Sequence, residues 1–283
     1  MTGTAESARS QQFGVALARA YGGAVVFSLP LLMTMEMWWL GFFMDRLRLA
    51  LLMLLMLPLL IGLDHFSGFR ETTRWSEDVV DGLVAYGVGL TASAAVLLLF
   101  GVLGTATPPG EVVGKVALQA VPAGFGAVLA GSQFGGGNHG GEGQSPERRD
   151  PREASYGAEL FFMLGGAVFL AFNVAPTEEM MLISFKMTAW HSLALVAVSL
   201  ALMHGFVYAV NFRGAPAVPV GTPGWSLFLR FTLVGYALAL LVSAYMLWTF
   251  ERVANDALVV SLQQAIVLAF PASLGAAAAR LIL

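Results

Sequence analysis

Long apolar runs recur along this sequence, and they limit the chain to a fold that spans a lipid bilayer. Each run has about 20 residues, the length of helix that crosses a hydrocarbon core of about 30 Å. Only 12% of the residues are charged, against roughly 25% in soluble domains. The runs are continuous and do not alternate, which excludes a transmembrane β-barrel. The sequence therefore predicts an all-α, polytopic transmembrane helical bundle.

About eight spans are predicted from these runs. Their approximate ranges are 15–43, 47–63, 79–104, 112–130, 158–182, 187–210, 225–250 and 257–282. The second is short, and the fourth and eighth carry an internal proline, so a count of seven spans stays open. Residues 1–14 are polar and lack the apolar core of a signal peptide. We therefore expect a polar N-terminal tail and a first span that is retained.

The stretch between the fourth and fifth runs, 131–157, is rich in glycine and then charged, which favours a disordered cytoplasmic linker. With the N-terminus inside, ten of the 15 Lys and Arg residues fall on the inner side. Both termini are therefore predicted to be cytoplasmic. The net charge of −3 and the lack of a basic tract argue against a nucleic-acid partner. The chain has no cysteine, which excludes disulfides.

The two halves of the sequence resemble each other. With a shift of 143 residues, Gly22–Arg70 align without a gap on Gly165–Arg213, with 15 identities in 49 positions. A chain of this composition gives roughly 4 or 5 by chance. The pattern predicts two parallel four-helix transmembrane repeats, 15–130 and 158–283, related by a pseudo-two-fold axis along the membrane normal. Duplicated transporters commonly place their site where the repeats meet.

The repeat aligns acidic side chains that lie within apolar runs. Glu179 falls on Glu36, whereas Glu178 falls on Met35. Glu36 lies 14 residues beyond Gly22, about 21 Å along a continuous helix. A carboxylate at membrane depth costs roughly 2.5 kcal/mol or more, so it must be paired, protonated, bound to a cation or in contact with water. We expect Glu36 and Glu179 to face each other across the pseudo-axis.

Oxygen donors accompany these acids. Thr177 aligns on Thr34, and Asn173 adds an amide oxygen one turn before Thr177. Carboxylate, hydroxyl and amide oxygens suit a hard cation such as Ca²⁺, Na⁺ or H₃O⁺. If a metal cation binds, Glu36 and Glu179 are its predicted ligands. No other cofactor is expected.

A structural explanation of the same acids also stands. They can be interfacial, and Glu179 can pair with Lys186 two helical turns on. Asp81 fits either a cytoplasmic ion vestibule or ordinary first-turn acid chemistry. His191 shows no metal-ligand spacing, and we expect a neighbouring helix to satisfy it.

Three classes of function remain open: a cation channel or transporter, a sensor or assembly protein without transport, and an intramembrane enzyme. The lipid bilayer and a small cation are the expected partners, and the chain is expected to be a monomer or a small homo-oligomer. Adjacent glutamates suggest intramembrane proteases of the Glu-Glu-x-x-x-Arg type, but Ile183 occupies the arginine position. We therefore expect no enzymatic activity.

The stretch NVAPTEEM, Asn173–Met180, together with the paired GGAV starts and the Gly-rich central loop, resembles a family of bacterial integral membrane proteins. The resemblance extends over nearly the whole chain. It implies a multi-pass protein of the bacterial inner membrane and implies no activity.

Overall fold

The computed structural model describes residues 2–67, 75–134, 156–208, 223–253 and 257–282. Within these ranges the chain is helical and contains no strand. Eight of the helices are long and apolar enough to cross a membrane. The prediction of an all-α membrane bundle is confirmed, and the described residues contain eight candidate spans, in agreement with the predicted count of about eight.

The chain divides into two compact units, Met1–Gly140 and Gly141–Leu283. Unit 1 contains five helices among its described residues: α1 (Thr2–Leu32), α2 (Met35–Phe43), α3 (Arg46–Ser67), α4 (Trp75–Leu99) and α5 (Pro109–Phe134). The last helix, α5, packs against each of the other four. It is also the span most deeply buried inside its unit, because its many Gly and Ala residues let neighbouring helices approach closely.

Unit 2 repeats this order of elements. Its described helices are α6 (Tyr156–Val174), α7 (Glu178–Lys186), α8 (Ala189–Tyr208), α9 (Gly224–Leu227), a π-helical turn (Phe228–Leu233), α10 (Val234–Thr249) and α11 (Leu258–Ile282). Here α11 takes the central place and packs against α6, α7, α8 and α10. The predicted parallel orientation of the two halves in the membrane is a relation between the units and stays a prediction.

The first and last helices of each unit cross at a pair of glycines. A Cβ on Gly23 would overlap the carbonyl oxygen of Gly126, and a Cβ on Gly126 would overlap the carbonyl oxygen of Gly23. Gly166 and Gly275 make the same reciprocal contact in unit 2. Gly166 is the residue that the sequence repeat aligns with Gly23. Backbone contact of this kind requires glycine on both helices.

Several predicted boundaries differ from those of the helices in the structure. The runs 15–43 and 158–182 are not continuous helices, since α1 ends at Leu32 and α6 ends at Val174. Helix α1 begins at Thr2, so the expected tail 1–14 belongs to the first helix. Helix α5 continues to Phe134 and α6 begins at Tyr156. The remainder of the predicted linker, 135–155, lies outside the described residues.

Candidate functional site

In each unit the first candidate span, Phe13–Leu32 or Tyr156–Val174, is complete, and a nine-residue helix, α2 or α7, follows its end. Thr34 and Thr177 are the N-cap residues, and both have extended backbone conformations. Glu36 and Glu179 are each the second residue of the short helix. A helix of this length measures about 13 Å, too short to cross a bilayer. The acids therefore begin a separate helix, and the expected position about 21 Å along a continuous span is wrong for Glu36.

The carboxylates of the two short helices differ in how exposed they are within their own unit. Glu36 is half-buried, whereas Glu178 and Glu179 are exposed. In the described part of the chain, none of the three makes a hydrogen bond or ion pair with another side chain, and the expected pair between Glu179 and Lys186 is not formed. Lys186 is the last residue of α7. The free amide groups at the N-terminus of α7 favour the negative charges of Glu178 and Glu179 in its first turn.

Side-chain donors close the broken end of α1. The Thr34 hydroxyl donates to the Pro30 carbonyl oxygen at 2.5 Å. The Gln119 amide, which is fully buried, donates to the Leu31 carbonyl oxygen at 3.0 Å. The Trp38 indole N–H donates to the Leu32 carbonyl oxygen at 2.8 Å. The Pro30, Leu31 and Leu32 carbonyl groups at this helix end therefore each accept a bond from a side chain, and Leu31 also accepts one from the Thr34 N–H at 3.1 Å.

Unit 2 closes its break with different residues. Arg252, just after α10, donates from its guanidinium to the Pro176 carbonyl oxygen. The Thr177 hydroxyl donates to the Val174 carbonyl oxygen at 2.8 Å. Asn173 donates its amide N–H to the Phe169 carbonyl oxygen at 2.7 Å, so its amide oxygen is not used in this bond. Since proline has no N–H and disfavours a helical conformation in the residue before it, Pro176 explains why α6 stops here.

Two further residues predicted from the sequence, His191 and Asp81, lie on the long helices α8 and α4. Nδ1 of His191 lies 2.7 Å from the Thr188 hydroxyl, one turn earlier at the start of α8. Its partner is thus local, and not on a neighbouring helix as expected. Asp81 lies on α4 and lines a cavity in unit 1. Among the described residues, no group of three or more His, Asp and Glu side chains is arranged to hold a metal ion.

A buried charge network in unit 2 was not predicted from the sequence. The Arg280 guanidinium donates from Nε to Glu159 Oε2 at 2.6 Å and from Nη1 to the Tyr208 oxygen at 2.5 Å. It also lies 3.8 Å from the centroid of the Phe231 ring. No local pattern could reveal this network, because Glu159 and Arg280 are 121 residues apart.

Eight apolar helices, packed around a Gly- and Ala-rich helix in each unit, define a multi-span integral membrane protein. The family model described as "Putative integral membrane protein (DUF2391)" matches residues 16–283. The chain belongs to this family. No curated protein and no solved structure matches it. The family assigns the chain to the lipid bilayer and assigns no reaction or substrate.

Proposed function

We propose that this protein is a channel or transporter for a small cation, H⁺, Ca²⁺ or Na⁺, in the bacterial inner membrane. Both termini lie in the cytoplasm in this proposal. Glu36, Glu178 and Glu179 bind the cation, with help from the Thr34 and Thr177 hydroxyls. The supporting observation is the same in both units: the first span is followed by a short helix with threonine as its N-cap and glutamate as its second residue.

The chemistry of the break supports a cation rather than an anion. Carboxylates with hydroxyl oxygens are the ligands that hard cations prefer. The exposed Glu178 and Glu179 have no cationic side chain bonded to them in the described chain. An ion from solution can therefore neutralise them. The amide oxygen of Asn173 supplies a further acceptor close to Thr177 in sequence.

Cation flux into liposomes that contain the purified protein tests this proposal. The wild-type chain should carry flux under a pH, Ca²⁺ or Na⁺ gradient. The double variant Glu36→Gln/Glu179→Gln should lose at least about 90% of that flux, since Gln keeps the shape and removes the charge. Glu251→Gln is the matched control, because it makes the same change outside the short helices and should keep the flux.

The sequence repeat adds a geometric part to the proposal: Glu36 and Glu179 face each other across a pseudo-two-fold axis. The chain has no cysteine, so cysteines introduced at these two positions would be its only thiols. A disulfide or a short cross-link between them in the membrane is the expected result. Its complete absence, with both thiols accessible to a labelling reagent, contradicts a shared site.

The second candidate function is a sensor or assembly protein without transport. The closed state of the breaks favours it, because Gln119, Trp38 and Arg252 already occupy the carbonyl groups at the ends of α1 and α6. In this case the short helices are rigid surface elements and their acids tolerate replacement by Gln. A well-folded wild-type chain that carries no flux under any of the three gradients would favour this second candidate.

A further inference from the structure

An exposed arginine lies where two spans of unit 1 begin. The candidate spans of α3 and α5 start at Arg46 and Pro109, and the Arg46 guanidinium lies against the first turns of α5. The position that a Cβ on Gly114 would take is 2.6 Å from Nη1, and the position of a Cβ on Gly110 is 3.7 Å from Nη2. The two glycines are one helical turn apart and share a face. Glycine at 114 therefore makes the room that the guanidinium occupies.

The carboxylates at the start of α3 and α5 bond to groups other than Arg46. Asp45 Oδ1 accepts from two backbone N–H groups of α3, each at 3.0 Å. Glu111 pairs with Lys115 at 2.5 Å. In the part of the chain that the structure describes, Arg46 forms no hydrogen bond or ion pair. Arg46, Arg48 and Lys115 outnumber the two carboxylates by one within these first turns, so this surface attracts an anion.

Exposed apolar side chains flank the guanidinium. Leu47, the next residue of α3, is 80% exposed. Val113 lies on the same face of α5 as Gly110 and Gly114 and is 63% exposed. Both side chains lie in the first turns of candidate spans, the level at which the headgroups of a bilayer meet its hydrocarbon core. The surface thus combines a cation with apolar groups at the depth where a phospholipid has its phosphate and the start of its acyl chains.

Unit 2 has neutral residues at the aligned positions. Arg46 aligns with Ala189 at the shift of 143, and Gly114 aligns with Gln263 at a shift of 149. The Gln263 amide donates to the Met187 carbonyl oxygen at 3.4 Å. A neutral side chain therefore begins where unit 1 has the glycine beneath its arginine, and the cationic surface is a feature of one unit rather than a requirement of the shared fold.

We propose that this surface of unit 1 binds an anionic phospholipid, with the phosphate at the Arg46 guanidinium and an acyl chain along Leu47 and Val113. A guanidinium offers paired N–H donors that match the oxygens of a phosphate group. The exposed apolar side chains beside it favour an acyl chain, which a free phosphate ion lacks. Glu36 lies at the opposite end of α2 from Arg46, so this site stands or falls independently of the proposed cation transport.

Native mass spectrometry of the full chain in detergent micelles, titrated with lipid, tests the proposal. The probes are phosphatidylglycerol, phosphatidylcholine with the same acyl chains, and inorganic phosphate. The anionic lipid should bind at least about fivefold more tightly than the zwitterionic lipid, the contribution of one basic side chain near anionic headgroups. Arg46→Gln should remove this preference, and inorganic phosphate should not displace the bound lipid.

The matched control is Arg230→Gln, which removes the same charge from an exposed arginine of unit 2 and should keep the preference. Val113→Glu is a second test that holds even if Arg46→Gln does not fold. Its carboxylate can pair with Arg46 and should abolish the preference, whereas the neutral Val113→Gln should keep it.

Four results would each overturn the proposal. They are equal affinity of the wild-type protein for the two lipids, an unchanged preference in Arg46→Gln or Val113→Glu, an equal loss of preference in Arg230→Gln, and displacement of the lipid by inorganic phosphate.

Discussion

Where α4 ends in unit 1, Gly101 adopts a left-handed conformation with φ of 72°, and where α10 ends in unit 2, Glu251 adopts one with φ of 60°. Both turns close in the same way: the Val102 N–H donates to the Leu97 carbonyl at 3.0 Å, and the Arg252 N–H donates to the Leu247 carbonyl at 2.9 Å. Glycine adopts this conformation freely, whereas glutamate does so at a cost of roughly 1 to 2 kcal/mol.

The difference shows that unit 2 accepts backbone strain at a position where unit 1 has none. The residue that follows the strained turn is Arg252, which donates to the Pro176 carbonyl at the break of the first span. In unit 1 the same break is closed from inside the bundle by Gln119 of α5. In unit 2 the end of the first span is thus hydrogen-bonded to a loop residue, whereas in unit 1 it is hydrogen-bonded to the central helix.

The two units also differ in how they hold their ion pairs. In unit 1, Glu111 and Lys115 pair at 2.5 Å one turn apart on the same helix. In unit 2, Glu159 and Arg280 pair at 2.5 Å across the first and last spans. Of these two pairs only the second joins one helix to another, so its removal should cost more. The pair that joins two helices in unit 1 is His65 of α3 with Asp78 of α4, at 2.7 Å.

The largest expected effect is that of Glu159→Ala. It leaves the buried Arg280 guanidinium without its carboxylate, and we expect the free energy of unfolding to fall by about 3 to 5 kcal/mol. Glu111→Ala should lower it less, because the Lys115 side chain is more accessible than that of Arg280, 11% against 4% exposed. Denaturant titration in detergent micelles measures both. The double variant Glu159→Met/Arg280→Met should recover much of the loss, and equal effects of the two single variants would contradict this difference between the units.

The glycine crossings should give the next largest effect. Gly23→Leu would push α1 away from α5, and Gly166→Leu would push α6 away from α11. Each should lower the free energy of unfolding by about 2 to 3 kcal/mol. Gly22→Leu is the matched control, since a Cβ on Gly22 meets no atom. The measurement is the same titration. If Gly166→Leu had little effect while Gly23→Leu lowered the stability, the glycine crossing would contribute unequally to the stability of the two units.

The strained turn should give a smaller effect of opposite sign in the two units. Glu251→Gly relieves the left-handed strain and should raise the free energy of unfolding by about 1 kcal/mol, whereas Gly101→Glu should lower it by about the same amount. Thermal unfolding in detergent records both changes. Destabilisation by Glu251→Gly would mean that contacts of the Glu251 side chain outweigh the backbone strain.

The spans were predictable from the sequence because apolar length alone identifies a membrane-crossing helix. The breaks were harder, since α2 is almost entirely apolar and extends the apolar run of α1 without interruption. Only Pro176 in unit 2 marks the break locally. The alignment of the halves did place Glu36 and Glu179 at equivalent positions, which is the most specific part of the candidate site that the sequence could supply.

The partners that close the breaks could not be predicted. Gln119 and Leu31 are 88 residues apart, and Arg252 and Pro176 are 76 apart. Helical periodicity tells which face of a helix is apolar, but not which helix packs on it. In a chain where most faces are apolar, that information is weaker still, because lipid-facing and buried surfaces have similar composition.

The smallest expected change in stability is that of the proposed ion-binding glutamates. Glu36→Gln and Glu179→Gln each remove one charge from a helix N-terminus, a loss of about 0.5 kcal/mol. Because neither carboxylate is bonded to a cationic side chain in the described chain, each loss should stay this small. Thermal unfolding at low and high salt tests this, since salt screening should abolish the stability difference between each variant and the wild type. A loss of several kcal/mol would instead indicate a structural role, and any loss of flux in the double variant would then follow from misfolding rather than from a missing site.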